Sequence, residues 1–190
     1  MKIRIKAILG VFLGGLFLQG CSLEEQIYSS AISDTFMKSE DDVIARVNGV
    51  YSVLPTFDCF KSNLNYIIFY GADDIGTTSA AFRLFNERTV SASDRYFITP
   101  WRTFYRVINE ANAMIETVGA SEVGSEAFRK RIIGEMHFMR AFAYFYLVRM
   151  HGGVPIHTSS TNGSSDFYPA RNSVEEVYQL IFDDFRIATE

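Results

Sequence analysis

Residues 125–150, SEAFRKRIIGEMHFMRAFAYFYLVRM, form one uninterrupted run of helix-favouring residues that is apolar almost all the way round. Ile132, Met136, Met139, Ala143 and Tyr146 fall on one stripe at helical spacing, and Phe138, Phe142 and Phe145 fall on the next. A helix that lacks a polar face cannot lie on the outside of a soluble domain and belongs in the middle of a bundle. The expectation is therefore that the aromatic stretch 138–146, Phe142 included, is core. Gly152-Gly153 ends the run and Pro155 prevents its resumption.

Three further helices are legible around it. Ser39 is an N-cap followed by Glu40, Asp41 and Asp42, where the helix dipole favours negative charge. Val43, Val47, Val50 and Leu54 then share a face and Pro55 stops the helix. A second helix is expected to begin at Thr99-Pro100, since proline is favoured at the first helical position. Its apolar face carries Trp101, Phe104, Ile108, Ala111, Ile115 and Val118, and Gly119 ends it. Ser173-Val174-Glu175-Glu176 is a capping box that opens a last helix, with Val174, Val177, Tyr178, Ile181, Phe185 and Ala188 on one side. It runs to Glu190 with no stop signal. Residues 61–98 mix short aromatic runs with turn residues and read as irregular, with room for short strands. TSSTNGSSD at 158–166 reads as a polar surface loop. The fold class is all-α: a helix-hairpin, tetratricopeptide-like bundle with irregular loops, because helix pairs of this length bury their faces only against neighbours.

The start of the chain sets the compartment. Lys2, Arg4 and Lys6 precede Ala7 to Leu18, twelve uncharged residues, which is shorter than the roughly 20 needed to span a bilayer. That is the layout of a secretory signal peptide. Leu18-Gln19-Gly20-Cys21 resembles the lipobox of bacterial lipoproteins, in which cleavage falls before a cysteine that then carries fatty-acyl chains such as palmitate. The resemblance implies three regions: residues 1–20 a signal peptide, 21–38 an acidic tether on Cys21, and 39–190 the folded helical portion. Acyl chains contribute ~0.8 kcal/mol of anchoring per buried CH2, so the chain would be tethered to a membrane without crossing it.

Losing residues 1–20 removes three basic residues and no acidic one, taking the net charge from −4 to −7. Nucleic acid, which demands basic patches, is a poor match for that balance. Cys59 is then the only thiol left in the body, so no internal disulfide can form and the core must hold the fold. With 17 Phe and 10 Tyr it has the material for one domain.

A search for catalytic or metal chemistry yields little. Glu135 and His137 lack the two-histidine, one-turn spacing of a zinc protease. His137 and His151 are fourteen positions apart, about 21 Å along a helix, too far for a shared metal. His157, after the proline turn, could approach His151, but no carboxylate accompanies the pair. Asp183 and Asp184 are adjacent on a helix and diverge by about 100°, so they do not form a shared acid/base site. Asp73-Asp74, in YGADDIGTT, is the best candidate for a calcium-type contact. Nucleophile elbows, phosphate-cradling loops and dinucleotide fingerprints are missing from the sequence. Neither an enzyme, a bound metal nor a cofactor is expected.

Two long stretches and a shorter one carry a family resemblance. PWRTFYRVINEANAMIE (Pro100 to Glu116) resembles the tryptophan helix of SusD/RagB-type proteins, GEMHFMRAFAYFYLVRMHGGVPI (Gly134 to Ile156) their central helix and its exit, and ARNSVEEVYQLIFDDFRIA the capped helix that follows. Met136, His137 and Met139 depart from the commoner residues. The resemblance implies an outer-membrane lipoprotein that binds an oligosaccharide or peptide nutrient and delivers it to a TonB-dependent transporter. It also implies a truncated part of a larger SusD-like fold, since such proteins are longer than this chain. Glu24-Glu25 resembles the family's surface-export signal, which would place the domain on the cell exterior. No ligand residue can be carried over from the family. Trp101 sits on the buried stripe and is expected to be core, whereas Tyr66, Tyr70 and Tyr96 are freer candidates for stacking on a sugar. A structural or adhesive surface lipoprotein without a small ligand is the alternative.

Overall fold

A computed structural model describes residues 37–56, 58–72, 75–161 and 169–190, and it contains six helices. They are α1 (Glu40–Ser52), α2 (Asn63–Tyr70), α3 (Ala80–Asn86), α4 (Arg95–Gly119), α5 (Glu126–His151) and α6 (Val174–Thr189). No strand occurs among the described residues. All six lie within one compact unit, Met37–Glu190. The lipobox, Cys21 and the Glu24-Glu25 pair lie outside the described residues, as do Asp73, Asp74 and residues 162–168.

The centre of the fold is α5, packed between α4 on one side and α6 on the other. The connection between α4 and α5 is short, so the two run antiparallel. Cross-contacts follow that order: Phe104 stacks on Tyr146 with ring centroids 5.4 Å apart, and Asn112 meets Arg140. Helix α6 is antiparallel to α5 in turn, for Gly134 faces Ala188 while Gly153 lies against Asn172. This alternation is the helix-hairpin arrangement that the apolar patterns anticipate. Phe104, Ile108, Met114, Ile132, Met136, Met139, Tyr144, Leu147 and Ile181 are almost wholly buried where the three helices meet. Cys59 is buried and free, with its thiol pushed up to about 12 by burial, so it stays protonated.

Local chemistry fixes the helix ends. Ser39 and Asp42 cap α1 reciprocally, and Ser173 and Glu176 do the same for α6. Each pair satisfies backbone donors that the first turn leaves open. Gly152, at φ 72°, lets the chain leave α5 in a conformation that residues with a Cβ avoid.

Three expectations need correction. Residues 61–98 are not irregular strand material: NLNYIIFY forms α2 and AAFRLFN forms α3. The β-branched and aromatic residues that suggested strands are used for side-chain packing, which overrides intrinsic propensity. Helix α4 does not begin at Thr99-Pro100 but at Arg95, one and a half turns earlier. The Asp94 carboxylate caps the Tyr96 N–H, Tyr96 is buried, and the Thr99 hydroxyl accepts from Asn63 on α2 at 2.7 Å. Those anchors offset the missing N–H of Pro100 within the helix. Third, the aromatic run on α5 is not uniformly core. Tyr144 is fully buried, Phe142 is half-buried, and Phe138 is 43% exposed. Phe138, Phe142 and Phe185 continue the aromatic packing at the edge of the α5–α6 layer.

Candidate functional site

Tyr66 and Tyr70 are one turn apart on α2 and project from the same side. Phe82 of α3 lies on both of them. Its centroid is 4.2 Å from Tyr66 at an interplanar angle of 30°, and 5.2 Å from Tyr70 at 3°. The amide of Asn86 at the end of α3 donates to the carbonyls of Tyr70 and Ile75, closing the α2–α3 turn. Tyr96 meets Tyr66 edge-on at 5.4 Å from beneath. At 7% exposure it supports the stack and offers no contact surface of its own.

Beside this stack lies a cavity of about 390 Å³ whose walls include Ser62, Asn65, Tyr66, Phe69, Tyr70 and Ile75. Phe69 and Ile75 are exposed. Ser62 is 5% exposed, yet its hydroxyl has no hydrogen-bond partner. Most buried hydroxyls are paired, so an unpartnered one in a residue that lines an aromatic cavity stands out. Aromatic walls with a few convergent polar groups are the usual make-up of a small-molecule site. A pyranose suits such a surface, because it presents C–H faces to rings and hydroxyls to polar groups.

A second constellation holds the segment that follows α5. Arg140, on the otherwise apolar central helix, forms a bidentate pair with Asp184 of α6 at 2.8 and 2.7 Å. His137 Nδ1 lies 2.7 Å from the same carboxylate. Burial pushes the Asp184 carboxyl upward, but hydrogen bonds from Arg140 and His137 outweigh it and hold the pKa below the ordinary value. Arg140 also donates to Asn112 Oδ1 at 2.7 Å, and the Asn112 amide donates to the carbonyls of His157 and Ser159. The Tyr144 hydroxyl accepts from the His157 N–H at 2.7 Å, and burial pushes that phenol up to about 12, so it is a neutral partner. Tyr105 donates to the Pro155 carbonyl. Asn109 and Glu116 accept from Thr161 and Ser160. Residues 154–161 thus form a strap tied to α4 and α5 by side chains. Every named partner is a protein group, and the arrangement is a fixed scaffold.

The remaining residues singled out from sequence separate. Asp184 is buried, whereas Asp183 is half-buried and pairs with Arg186 and Gln179, so the two carboxylates face different surroundings. His151 stands edge-on to Trp101 at 4.8 Å, while His157 stands edge-on to Tyr105 at 5.9 Å. Among the described residues no group of three or more His, Cys, Asp and Glu is placed to hold a metal ion. Trp101 is half-buried, packed on Tyr105 on the expected stripe. Arg140, Asn112 and Ser62 were not singled out from the sequence. The first two carried a signal, since a charge and an amide on apolar helix faces require buried partners.

A family model described as starch-binding and associating with the outer membrane matches residues 24–190. The SusD-like protein P2 of Formosa agariphila is 29% identical over 181 residues, covering 92% of this chain and 36% of that protein. A SusD-like protein of Bacteroides fragilis superimposes with a TM-score of 0.67 at 28% identity, over 82% of this chain and 30% of the other. A crystal structure with xylogluco-oligosaccharide superimposes with a TM-score of 0.61 at 30% identity, over 77% and 29% of the respective chains. The chain therefore spans about a third of the length of these relatives.

Proposed function

Because the chain belongs to the SusD-like family, we propose that it binds an oligosaccharide nutrient on the α2–α3 aromatic face and delivers it to a TonB-dependent outer-membrane transporter. The observation that carries the reading is the stack of Tyr66, Tyr70 and Phe82 beside a cavity of about 390 Å³ that Tyr66, Tyr70 and Asn65 help to line. The xylogluco-oligosaccharide in a structural relative supports a glycan over a peptide as the ligand. Capture and hand-over require no bond to be broken, and the buried Arg140–Asp184–His137 group is committed to holding the strap. Cys21 carries the lipid in this reading, residues 1–20 are removed, 21–38 form the tether, and the domain faces the cell exterior.

Calorimetric titration of the intact protein with a panel of neutral oligosaccharides tests the site. Loss of one stacking ring removes ~0.5–1.5 kcal/mol, so Tyr66→Ala should weaken binding by up to about tenfold, while α4, α5 and α6 keep most of the helical circular dichroism. Equal affinity in the variant moves the site elsewhere. Heatless titrations across the whole panel would favour the structural or adhesive alternative.

A further inference from the structure

Helix α3 touches both walls of the α2–α3 cavity without being part of either. Tyr66, Tyr70 and Ile75 line the cavity, and neither Phe82 nor Asn86 does. Yet Phe82 lies on the rings of Tyr66 and Tyr70, with centroids 4.2 and 5.2 Å away. The Asn86 amide donates to the carbonyls of Tyr70 and Ile75 at 3.1 and 2.8 Å. Positions 82 and 86 are one turn apart, so both side chains leave the same side of the helix. A single turn of α3 therefore backs the two rings and ties the Ile75 wall to the end of α2.

The rest of α3 does little for the core. Of its seven residues, Phe85 is buried and stands edge-on to Tyr96 of α4 at 5.2 Å. Arg83 and Leu84 are exposed. A helix this short is not stable by itself, and the Ser79 side chain makes no cap bond to its first turn. Its place is set by contacts alone. Phe85 anchors it to α4, and Phe82 and Asn86 carry that anchorage to the cavity. Without the Phe82 ring the half-buried Tyr66 and Tyr70 regain rotamer freedom. Without the Asn86 amide, residues 75–79, which have no regular structure, lose that tie to α2.

We propose that Phe82 and Asn86 are positioning residues of the α2–α3 site. They hold the two tyrosine rings and the Ile75 wall in the binding arrangement before a ligand arrives, and touch no ligand themselves. The inference rests on the assignment of this cavity as the nutrient site. Each side chain that must be ordered at the moment of binding weakens affinity by roughly two- to tenfold. An arrangement populated for only part of the time lowers the apparent affinity by that fraction. Positioning also has a kinetic mark. When fewer molecules are ready to bind, association slows and dissociation of the formed complex is unchanged, whereas loss of a direct contact mainly speeds dissociation.

The intact protein, carrying labelled tyrosine, is followed by NMR alone and during titration with maltohexaose and with a xylogluco-oligosaccharide, the rates being taken from line shapes. In the ligand-free protein the Tyr66 and Tyr70 ring signals should be displaced by the face of Phe82, and in Phe82→Leu they should move towards the positions of free tyrosine. Phe82→Leu should weaken whichever saccharide binds by about three- to tenfold, through the association rate alone. Phe82→Tyr, which keeps a ring in place, should recover most of that loss. Asn86→Asp keeps the shape, removes both donors at an exposed position, and should slow association about twofold or more. It keeps the question answerable should Phe82→Leu loosen α3 altogether, and Asn86→Gln should restore part of the rate. Ring signals that stay in place in Phe82→Leu, a loss that lies in dissociation, or full affinity in both Phe82→Leu and Asn86→Asp would each overturn the proposal. Rings that loosen in Phe82→Leu, in a protein that binds neither saccharide, would uphold the positioning and remove the glycan assignment.

Discussion

Arg140→Met is the sharpest probe of the fold. It keeps much of the apolar stem and deletes every donor of the guanidinium. The lost contacts are the two bonds to Asp184, at 2.8 and 2.7 Å, the bond to Asn112 at 2.7 Å, and longer ones to the Thr158 carbonyl and His137 Nδ1 at 3.4 and 3.3 Å. The side chain of Asp184 is 1% exposed, so water cannot replace the guanidinium, and His137 alone remains beside the carboxylate. Removing one partner of a buried pair costs about 3–5 kcal/mol. At 2–4 °C of melting temperature per kcal/mol for a domain of this size, the expected drop is about 6–20 °C. The pH dependence supplies a signature. In the native protein the Asp184 carboxyl is held below the ordinary value of an aspartate, so its stabilisation is present above the unfolded-state pKa and is lost as pH falls through the lower folded value. In Arg140→Met burial dominates, and the folded pKa rises above the unfolded one. The variant then regains stability by protonating, and its deficit should shrink as pH falls from 7 to 4. Urea titrations followed by helical circular dichroism at both pH values measure this, with Arg140→Met/Asp184→Leu expected to recover most of the loss. A deficit below about 1 kcal/mol at pH 7, or one that does not change with pH, would refute the reasoning.

Other outcomes can be checked in parallel. Phe104→Ala, at a wholly buried position, should cost about 3–5 kcal/mol in urea denaturation, and the half-buried Phe142→Ala clearly less; equal losses would contradict the burial described. Gly153→Ala would place a Cβ on the Asn172 carbonyl and should destabilise by about 1–3 kcal/mol, so a neutral result means that the strap can move away. Cys21→Ala should abolish incorporation of labelled palmitate, and Glu24→Ala with Glu25→Ala should reduce access of antibody to the protein on intact cells. Continued labelling of the cysteine variant rules out lipidation at Cys21, and unchanged access in the second leaves the acidic pair as a tether only.

What the sequence discloses follows from how local each signal is. Capping at Ser39 and Ser173 is written within four residues, and both caps form as read. The exit of α5 at Gly152 is equally local, because a positive φ selects glycine. The apolar stripes of α4 and α6 predict their buried faces, since period 3.6 converts directly into a side of a helix; Val174, in the first turn of α6, is the exception at 39% exposed. Helix α5 shows the limit of that logic. With apolar residues all round, periodicity cannot say which aromatic meets a neighbour, and Phe138 emerges 43% exposed while Tyr144 is fully buried. Likewise α2 and α3 are too short to show a period, and their helical state rests on ring packing between residues such as Tyr66, Phe82 and Tyr96. The candidate site was only partly visible for the same reason. Tyr66 and Tyr70 announce themselves as aromatics in an unassigned stretch, but Phe82 and Asn86 become conspicuous only when folding sets α3 against them.

The buried polar group at Arg140 also explains how the central helix tolerates departures from an apolar sequence. A well-packed hydrophobic triad in place of Arg140, Asp184 and Asn112 could match it in stability, since buried ion pairs often break even against apolar replacements. Such a triad could not hold residues 154–161. That strap is neither helix nor strand, so its carbonyls and N–H groups must find partners elsewhere or be buried at a cost. Asn112 supplies the carbonyls of His157 and Ser159 with donors, and it can do so because Arg140 fixes its other end. Asp184 in turn fixes Arg140 from a different helix. The chain of bonds from α6 through α5 to α4 therefore places the strap in register with all three helices. On this argument Asn112→Leu, which fills the same space without donors, should loosen the strap selectively. Hydrogen exchange at the His157 and Thr161 amides should accelerate more than exchange in the middle of α5. Uniform acceleration across α5 and the strap would mean that Asn112 contributes to the core as a whole and has no particular hold on the segment.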